Sequence, residues 1–321
     1  MQCLRATPIP TASIPTAPTD GGSVAKKPGP PPPRGGLVVV DKPCGMTSHD
    51  VVARVRRFAG TRRVGHAGTL DPMATGVLLV GVGRATRLLG HLALHDKRYL
   101  ATVRLGQTTS SDDADGLLIE SRSAARIMPD DVKAAASAFV GEIAQRPPAV
   151  SAIKVDGKRA YARARAGEDV VLASRNVTVT AFDVLDVRAH DDLVDVDLDV
   201  TCSSGTYIRA LARDLGGALE VGGHLTALRR TRVGAFELSQ GKTLAQLEES
   251  FTLTSLDEVA AAVFARRDLD EEQAATLSHG GKLPASDMGV QPVAAFGPDG
   301  VFIALIEDRG EIAKSVAVFV D

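Results

Sequence analysis

The chain has 321 residues, 44% of them hydrophobic and 24% charged, with a formal net charge of −2. That length has room for about two domains with a sizeable core, and the composition is that of a globular protein. No apolar run approaches the ~18–20 residues of a membrane-spanning helix, and three scattered cysteines (Cys3, Cys44, Cys202) do not make a disulfide framework, which fits a reducing, cytoplasmic setting.

Residues 1–34 hold 9 of the 17 prolines and lack the apolar core of a signal peptide. They read as a disordered tail or as the product of an upstream start codon. Leu37–Asp41 follows as a short buried strand. Ser48 is placed to cap a helix whose apolar positions Val51, Val55 and Phe58 recur at i, i+4 and i+7, with arginines on its other faces. Residues 65–76, Gly-His-Ala-Gly-Thr-Leu-Asp-Pro-Met-Ala-Thr-Gly, read as a loop holding one carboxylate, Asp71, among three glycines and a proline. Glycine lets another molecule approach the backbone, and Pro72 biases Asp71 away from helix. Taken alone, this is as readily a tight turn with a capping aspartate.

Val77–Val82 is expected as a strand, Arg84–Leu94 as a helix, Tyr99–Leu105 as a strand and Gln107–Gly116 as a loop. Pro129 opens an Ala-rich helix reaching about Val140. Val177–Val187 and Leu193–Val200 alternate apolar with polar residues, the pattern of half-buried antiparallel strands, joined through His190-Asp191-Asp192. Thr206 is positioned to cap a helix with the stripe Ile208, Leu211, Ala212 and Leu215, and Arg209 lies off that stripe. Leu225–Phe236 reads as one more strand. After a composition shift near 245–256 come helical segments, a Gly280-Gly281 turn, and strands Val293–Phe296 and Val301–Ile306 around Gly297-Pro298-Asp299-Gly300. Strands with interspersed helices predict an α+β fold around a mixed, largely antiparallel sheet. The divisions expected are a Pro-rich tail at 1–34, a main domain at 35–250 and a small domain at 251–321.

The overall charge hides an asymmetry. Residues 251–321 contain 5 Lys and Arg against 12 Asp and Glu, so the remainder is net basic. Basic residues gather at Arg54, Arg56, Arg57, Arg62 and Arg63, at Lys154, Lys158, Arg159, Arg163 and Arg165, and at Arg229, Arg230 and Arg232. Any one cluster is ordinarily a solvated face, but three beside candidate site loops favour a nucleic acid. Other familiar signals fail. Gly241-Lys242-Thr243 has Phe236 where a P-loop needs its first glycine, and Gly81-Val82-Gly83 lacks the third glycine of a dinucleotide site. His91 and His95 stand i, i+4 without a third metal ligand nearby.

Five ordered segments carry a family resemblance: Asp41–Ser48 (DKPCGMTS), residues 65–76, Asp96–Tyr99 (DKRY), Gln145–Lys154 (QRPPAVSAIK) and Cys202–Arg209 (CSSGTYIR). Together they resemble the TruB-type tRNA pseudouridine synthases over roughly residues 36–240, and more weakly to the C-terminus, where the tail is similar to the family's PUA-like RNA-binding module. The resemblance implies an isomerase that converts uridine 55 of the tRNA T-loop to pseudouridine in the cytoplasm, as a monomer needing no protein partner, cofactor or metal. It implies Asp71, Arg209 and Tyr99 as catalytic residues: the acid, its counter-ion, and an aromatic face for the base. His66 would occupy the space left by the flipped nucleotide, Tyr207 would wall the pocket, Lys42 and Asp113 would support the site or touch RNA, and Lys154 would grip the phosphate backbone. Two alternatives remain at this stage: a synthase acting on another RNA, and a non-catalytic RNA-binding or RNA-folding protein on the same scaffold.

Overall fold

The computed structural model describes residues 34–148, 173–286, 288 and 291–320, with the backbone of 154–155 and 158–159. Residues 1–33, and with them nearly all of the expected tail, lie outside the described residues. Gly35–Lys42 (β1) and Thr75–Gly83 (β3) are nearly continuous apolar runs because both their faces are covered. They pair antiparallel, with Val39 opposite Leu79. Alternate side chains enter two different cores, since successive strand residues point to opposite faces. Val38, Val40, Leu78 and Val80 pack with Val51 and Val55 of the helix Ser48–Ala59 and Leu211 and Leu215 of the helix Ile208–Ala218. Leu37, Val39, Val77 and Leu79 pack instead with Ala294, Phe296, Phe302, Leu305 and Phe319 near the C-terminus.

Val64–Ala67 (β2) pairs with β3, so the first residues of the expected 65–76 loop are a strand. The described strands continue as Lys97–Leu105 (β4), Gln107–Thr109 (β5), Leu118–Ser121 (β6) and Gly141–Gln145 (β7). Next come the two-residue strands Lys154–Val155 (β8) and Lys158–Arg159 (β9), then Arg175–His190 (β10), Leu193–Cys202 (β11), Gly223–Val233 (β12), Phe236–Glu237 (β13) and Thr254–Ser255 (β14). One sheet runs β14-β1-β3-β12-β4-β11-β10-β7, with β2 and β13 at its flanks. Its described pairs are antiparallel except β3 with β12, which bears out the mixed, largely antiparallel expectation. Ala265–Asp268 (β15), Leu283–Pro284 (β16), Val293–Phe296 (β17), Phe302–Arg309 (β18) and Ile312–Val318 (β19) form a second sheet, ordered β15-β17-β18-β19-β16.

Several local expectations change. The cap of the first helix is Thr47, which accepts from the Asp50 amide while Asp50 accepts from the Thr47 amide. Ser48 is the first helical residue and is buried. Thr206 does not cap the helix Ile208–Ala218; its hydroxyl donates to the Ser203 carbonyl at 3.0 Å, and Tyr207 occupies the cap position. The segment expected as one helix over 84–94 is a 3₁₀ turn, Arg84–Arg87, followed by a short helix, Leu89–Ala93. The strand expected to continue to Phe236 reverses at Gly234, whose φ of 53° favours glycine, and returns as β13. Arg34, assigned to the tail, bridges to the second sheet: it pairs with Asp257 at 3.0 Å and donates to the carbonyls of Phe302 and Phe319.

Candidate active site

Asp71 sits on the connection between β2 and β3, and three buried side chains hold that connection from below. Ser48 Oγ accepts from the Leu70 amide at 2.9 Å and donates to its carbonyl at 3.0 Å. Lys42 Nζ donates to the carbonyls of Met46, Pro43 and Pro72, at 2.6, 3.0 and 3.2 Å, and the Gly45 amide also donates to Pro72. Arg230 Nη2 donates to the Gly68 carbonyl at 2.9 Å and its Nε to the Val77 carbonyl at 2.7 Å. The parallel register places Arg230 beside Gly76. A Cβ at Gly76 would stand 2.1 Å from the Arg230 carbonyl oxygen, and φ there is 98°, so only glycine admits the two strands at this distance. The Leu70 carbonyl before Asp71 and the Pro72 carbonyl after it are therefore held by the side chains of Ser48 and Lys42.

The carboxylate itself is 35% exposed and faces Arg209, which is 6% exposed; Nε and Oδ2 are 3.0 Å apart. That Nε lacks an aligned hydrogen bond, so the contact is an ion pair with the donor aimed off the line. Arg209 Nη1 reaches Asp113 Oδ2 at 3.3 Å and the Ser111 carbonyl at 3.0 Å, anchoring the guanidinium from behind. Asp113 is in turn buried and accepts from Ser111 Oγ and the Asp115 amide. Arg209 does leave the apolar stripe of its helix, as expected, but toward this buried site. Gln145 fixes the start of that helix, accepting from the Tyr207 amide at 2.8 Å and donating to the Tyr207 carbonyl at 3.0 Å.

Tyr99 lies opposite Arg230 in the β4–β12 register, is 6% exposed, and hydrogen-bonds with Arg230. Burial raises its phenol pKa, so the ring is a neutral apolar wall with a polar tip. His66 is half-buried, edge-on to His49 with ring centroids 5.3 Å apart, and its buried Nδ1 has no partner. Burial, reinforced by His49 and Arg230, pushes its pKa down, so the ring is neutral at neutral pH. Burial lowers Lys42 to about 8 against the attraction of Asp71, and lowers Lys97 to about 8 as well.

The structure thus brings together Asp71, Arg209, Asp113, Tyr99, His66 and Lys42 of the sequence-derived candidates, with Tyr207 at the foot of the arginine helix. Lys42 is fully buried and spends its ammonium on carbonyls, so its place is beneath the loop and away from any ligand. The Lys154 side chain lies outside the described residues. The third basic cluster does not form a polyanion surface: Arg230 is 1% exposed, while Arg229 pairs with Asp41 and Arg232 with Asp96. Ser48, Gln145 and Arg230 were missed as site-forming residues. Two of them stand inside the quoted segments; Arg230 was hidden because a charge run gives no sign of which member turns inward. Among the described residues no group of three or more His, Cys, Asp or Glu could hold a metal ion.

One carboxylate with a buried arginine partner, a buried tyrosine and a neutral histidine thus meet on the mixed sheet. Comparison with known proteins gives the family. The "TruB family pseudouridylate synthase (N terminal domain)" family matches residues 56–208, and two C-terminal families of the same enzymes match residues 209–274 and 264–320. A tRNA pseudouridine synthase B of Streptomyces griseus is 56% identical over 88% of this chain and 97% of its own length. One of Thermobifida fusca is 58% identical over 88% and 98%. A crystal structure of a Cbf5–Nop10–Gar1 complex superposes with a TM-score of 0.69 at 26% identity, covering 89% of this chain and 85% of that one. The chain belongs to the TruB family of pseudouridine synthases.

Proposed function

We propose that the protein isomerises uridine 55 in the T-loop of tRNA to pseudouridine. The observation that carries this is the convergence of Asp71, Arg209 and Tyr99 at one partly exposed point. The reaction breaks the N1–C1′ bond, turns the base and forms C5–C1′, while the hydrogen on C5 leaves to water. No electrons are exchanged and no external group is consumed, so the residues need no cofactor. Asp71 starts glycosidic cleavage, by attack or by promoting elimination. Arg209, itself anchored by Asp113, is the carboxylate's ion-pair partner as the RNA covers it. Tyr99 stacks on the base, an interaction worth about 1–3 kcal/mol. The target nucleotide is flipped out of its loop and His66, with Tyr207 at the pocket wall, fills the gap.

We assign residues 35–250 to the catalytic unit and residues 251–321 to a PUA-like module that adds RNA affinity, with Lys154 gripping phosphate. The protein acts as a monomer in the cytoplasm. In support, no helix among the described residues is long and apolar enough to cross a membrane, and the relatives above are tRNA-modifying enzymes by name. The experiment is tritium release. A tRNA labelled at uridine C5 should yield about one equivalent of label from position 55, and none when that uridine is cytidine. Release from many positions would give the protein a broader RNA substrate. Tight binding with no release would make it an RNA-folding protein.

A further inference from the structure

Many of the surface arginines are ion-paired. Arg98 pairs with Asp199, Arg104 with Asp195, Arg188 with Asp197, Arg213 with Asp112, Arg229 with Asp41 and Arg232 with Asp96. The helix Ser48–Ala59 and the turn after it gather five that are not. Arg54, Arg56, Arg57, Arg62 and Arg63 are all exposed, and none has a carboxylate partner among the described residues. Arg56 donates to the Val64 carbonyl; the other four side chains have no hydrogen bond among the described residues. The carboxylate on this face, Asp50, is occupied in the Thr47 capping box. A favourable end to the helix dipole explains Arg56 and Arg57 in the last turn, but not Arg54 or the two arginines beyond the helix.

Position gives these charges a use. The exposed residues His49, Ala53, Arg54, Arg56 and Arg57 make up the solvent side of the helix, where Arg54 and Arg57 are neighbours at i, i+3 and Ala53 and Arg57 at i, i+4. Its first turn is at the site, where Ser48 holds Leu70 and His49 abuts His66. From His49 to Arg57 the helix rises ~12 Å. A stacked strand carries one phosphate per ~3.4 Å, so this face spans about three to four nucleotides. We propose that the arginine face of this helix, with Arg62 and Arg63, is a phosphate track for the RNA strand running away from the flipped nucleotide. The inference rests on the RNA reading above and adds a surface distinct from the Lys154 segment.

The test uses the full chain carrying Arg54→Gln, Arg57→Gln, Arg62→Gln and Arg63→Gln, and a tRNA transcript as probe. Affinity at 0.1 M salt should fall at least tenfold, and the slope of log K against log salt should shrink by about 3, at 0.7–0.9 per lost phosphate contact. The single-turnover rate at saturating RNA should stay within about twofold of wild type. An unchanged affinity and slope would make the face merely solvated. A collapsed rate with unchanged affinity would also overturn the proposal. The double variant Arg62→Gln/Arg63→Gln lies outside the helix, so it carries about half the slope change even if the quadruple variant folds poorly. Should the wild type bind the transcript but not isomerise it, the catalytic reading fails while the slopes still decide the track.

Discussion

Asp71 is 35% exposed and Arg209 only 6%, so removing either should have different consequences. Asp71→Asn keeps the shape and deletes the charge; turnover should vanish while tRNA affinity changes little, and single-turnover assays beside filter binding separate the two. Arg209→Ala strips two carboxylates of their partner, one of them buried, and such losses cost about 3–5 kcal/mol. It should lose both activity and thermal stability. Arg230 sets a third case, because its charge rests on the Gly68 and Val77 carbonyls and on Tyr99. Arg230→Met leaves both carbonyls without that donor, at about 1–3 kcal/mol each, and frees the loop that carries Asp71. We expect a rate loss of about 100-fold, with partial recovery in Arg230→Lys, which can serve one contact but not all three. Full activity in the methionine variant would remove Arg230 from the site. Lys97 provides a pH test. Its pKa of about 8 lies below the usual 10.5, so the unfolded chain holds more protons above pH 8 and stability from this group rises with pH from about 8 toward 10.5. Urea unfolding should show a smaller gain between pH 7.5 and 9 in Lys97→Met than in wild type.

The first helix, β2 and β3 act as one unit at the scale of elements. Ser48 sews the helix to the Asp71 loop by both polar groups of Leu70, and the helix buries Val51, Val52 and Val55 against β3. Ser48→Ala removes the hydroxyl and leaves a buried amide and a carbonyl unmet, a cost of about 1–3 kcal/mol. The melting temperature should drop by several degrees, and the rate at saturating RNA should fall while affinity stays near wild type. An equal loss of affinity would mean that the loop also forms the binding surface. On the outer face of the sheet, Arg98–Asp199, Arg104–Asp195 and Arg188–Asp197 cross between neighbouring strands. These ladders satisfy the aspartates that alternate along β11, which is why its polar residues tolerate a half-buried face.

Over the whole molecule, the two sheets share a core through Leu37, Val39, Val77 and Leu79 on one side and Phe296, Phe302 and Phe319 on the other. Asp257 reinforces the junction by pairing with Arg34 and accepting from the Phe302 amide. Truncation before residue 256 would therefore bare an apolar face of β1 and β3, the strands that border the Asp71 loop. Such a fragment should lose its cooperative melt and the single-turnover rate along with RNA affinity. A truncated chain with wild-type melting and rate would show that the C-terminal segment contributes affinity alone.

The strands β1, β3, β4, β10, β11 and β17 were legible in the sequence, because apolar runs and alternation report burial directly. Asp71, Arg209 and Tyr99 were legible because each falls in a segment whose residue order is itself specific. Other features depended on contacts distant in sequence. Whether Arg230 or Arg229 turned inward was set by the register of β12 against β3 and β4, since a shift of one residue would exchange the faces. Ser48 looked like a helix cap because local spacing allows it; the Leu70 backbone, 22 residues away, claims its hydroxyl. The short strand β2 was invisible because four residues, two of them small, gain their stability from pairing with β3. Sequence by itself determined the family, the candidate residues Asp71, Arg209 and Tyr99, and most of the periodic elements. Only the tertiary structure decided which charges are buried and what holds the loop, because burial of a charge depends on partners that the folded chain alone brings within hydrogen-bonding distance.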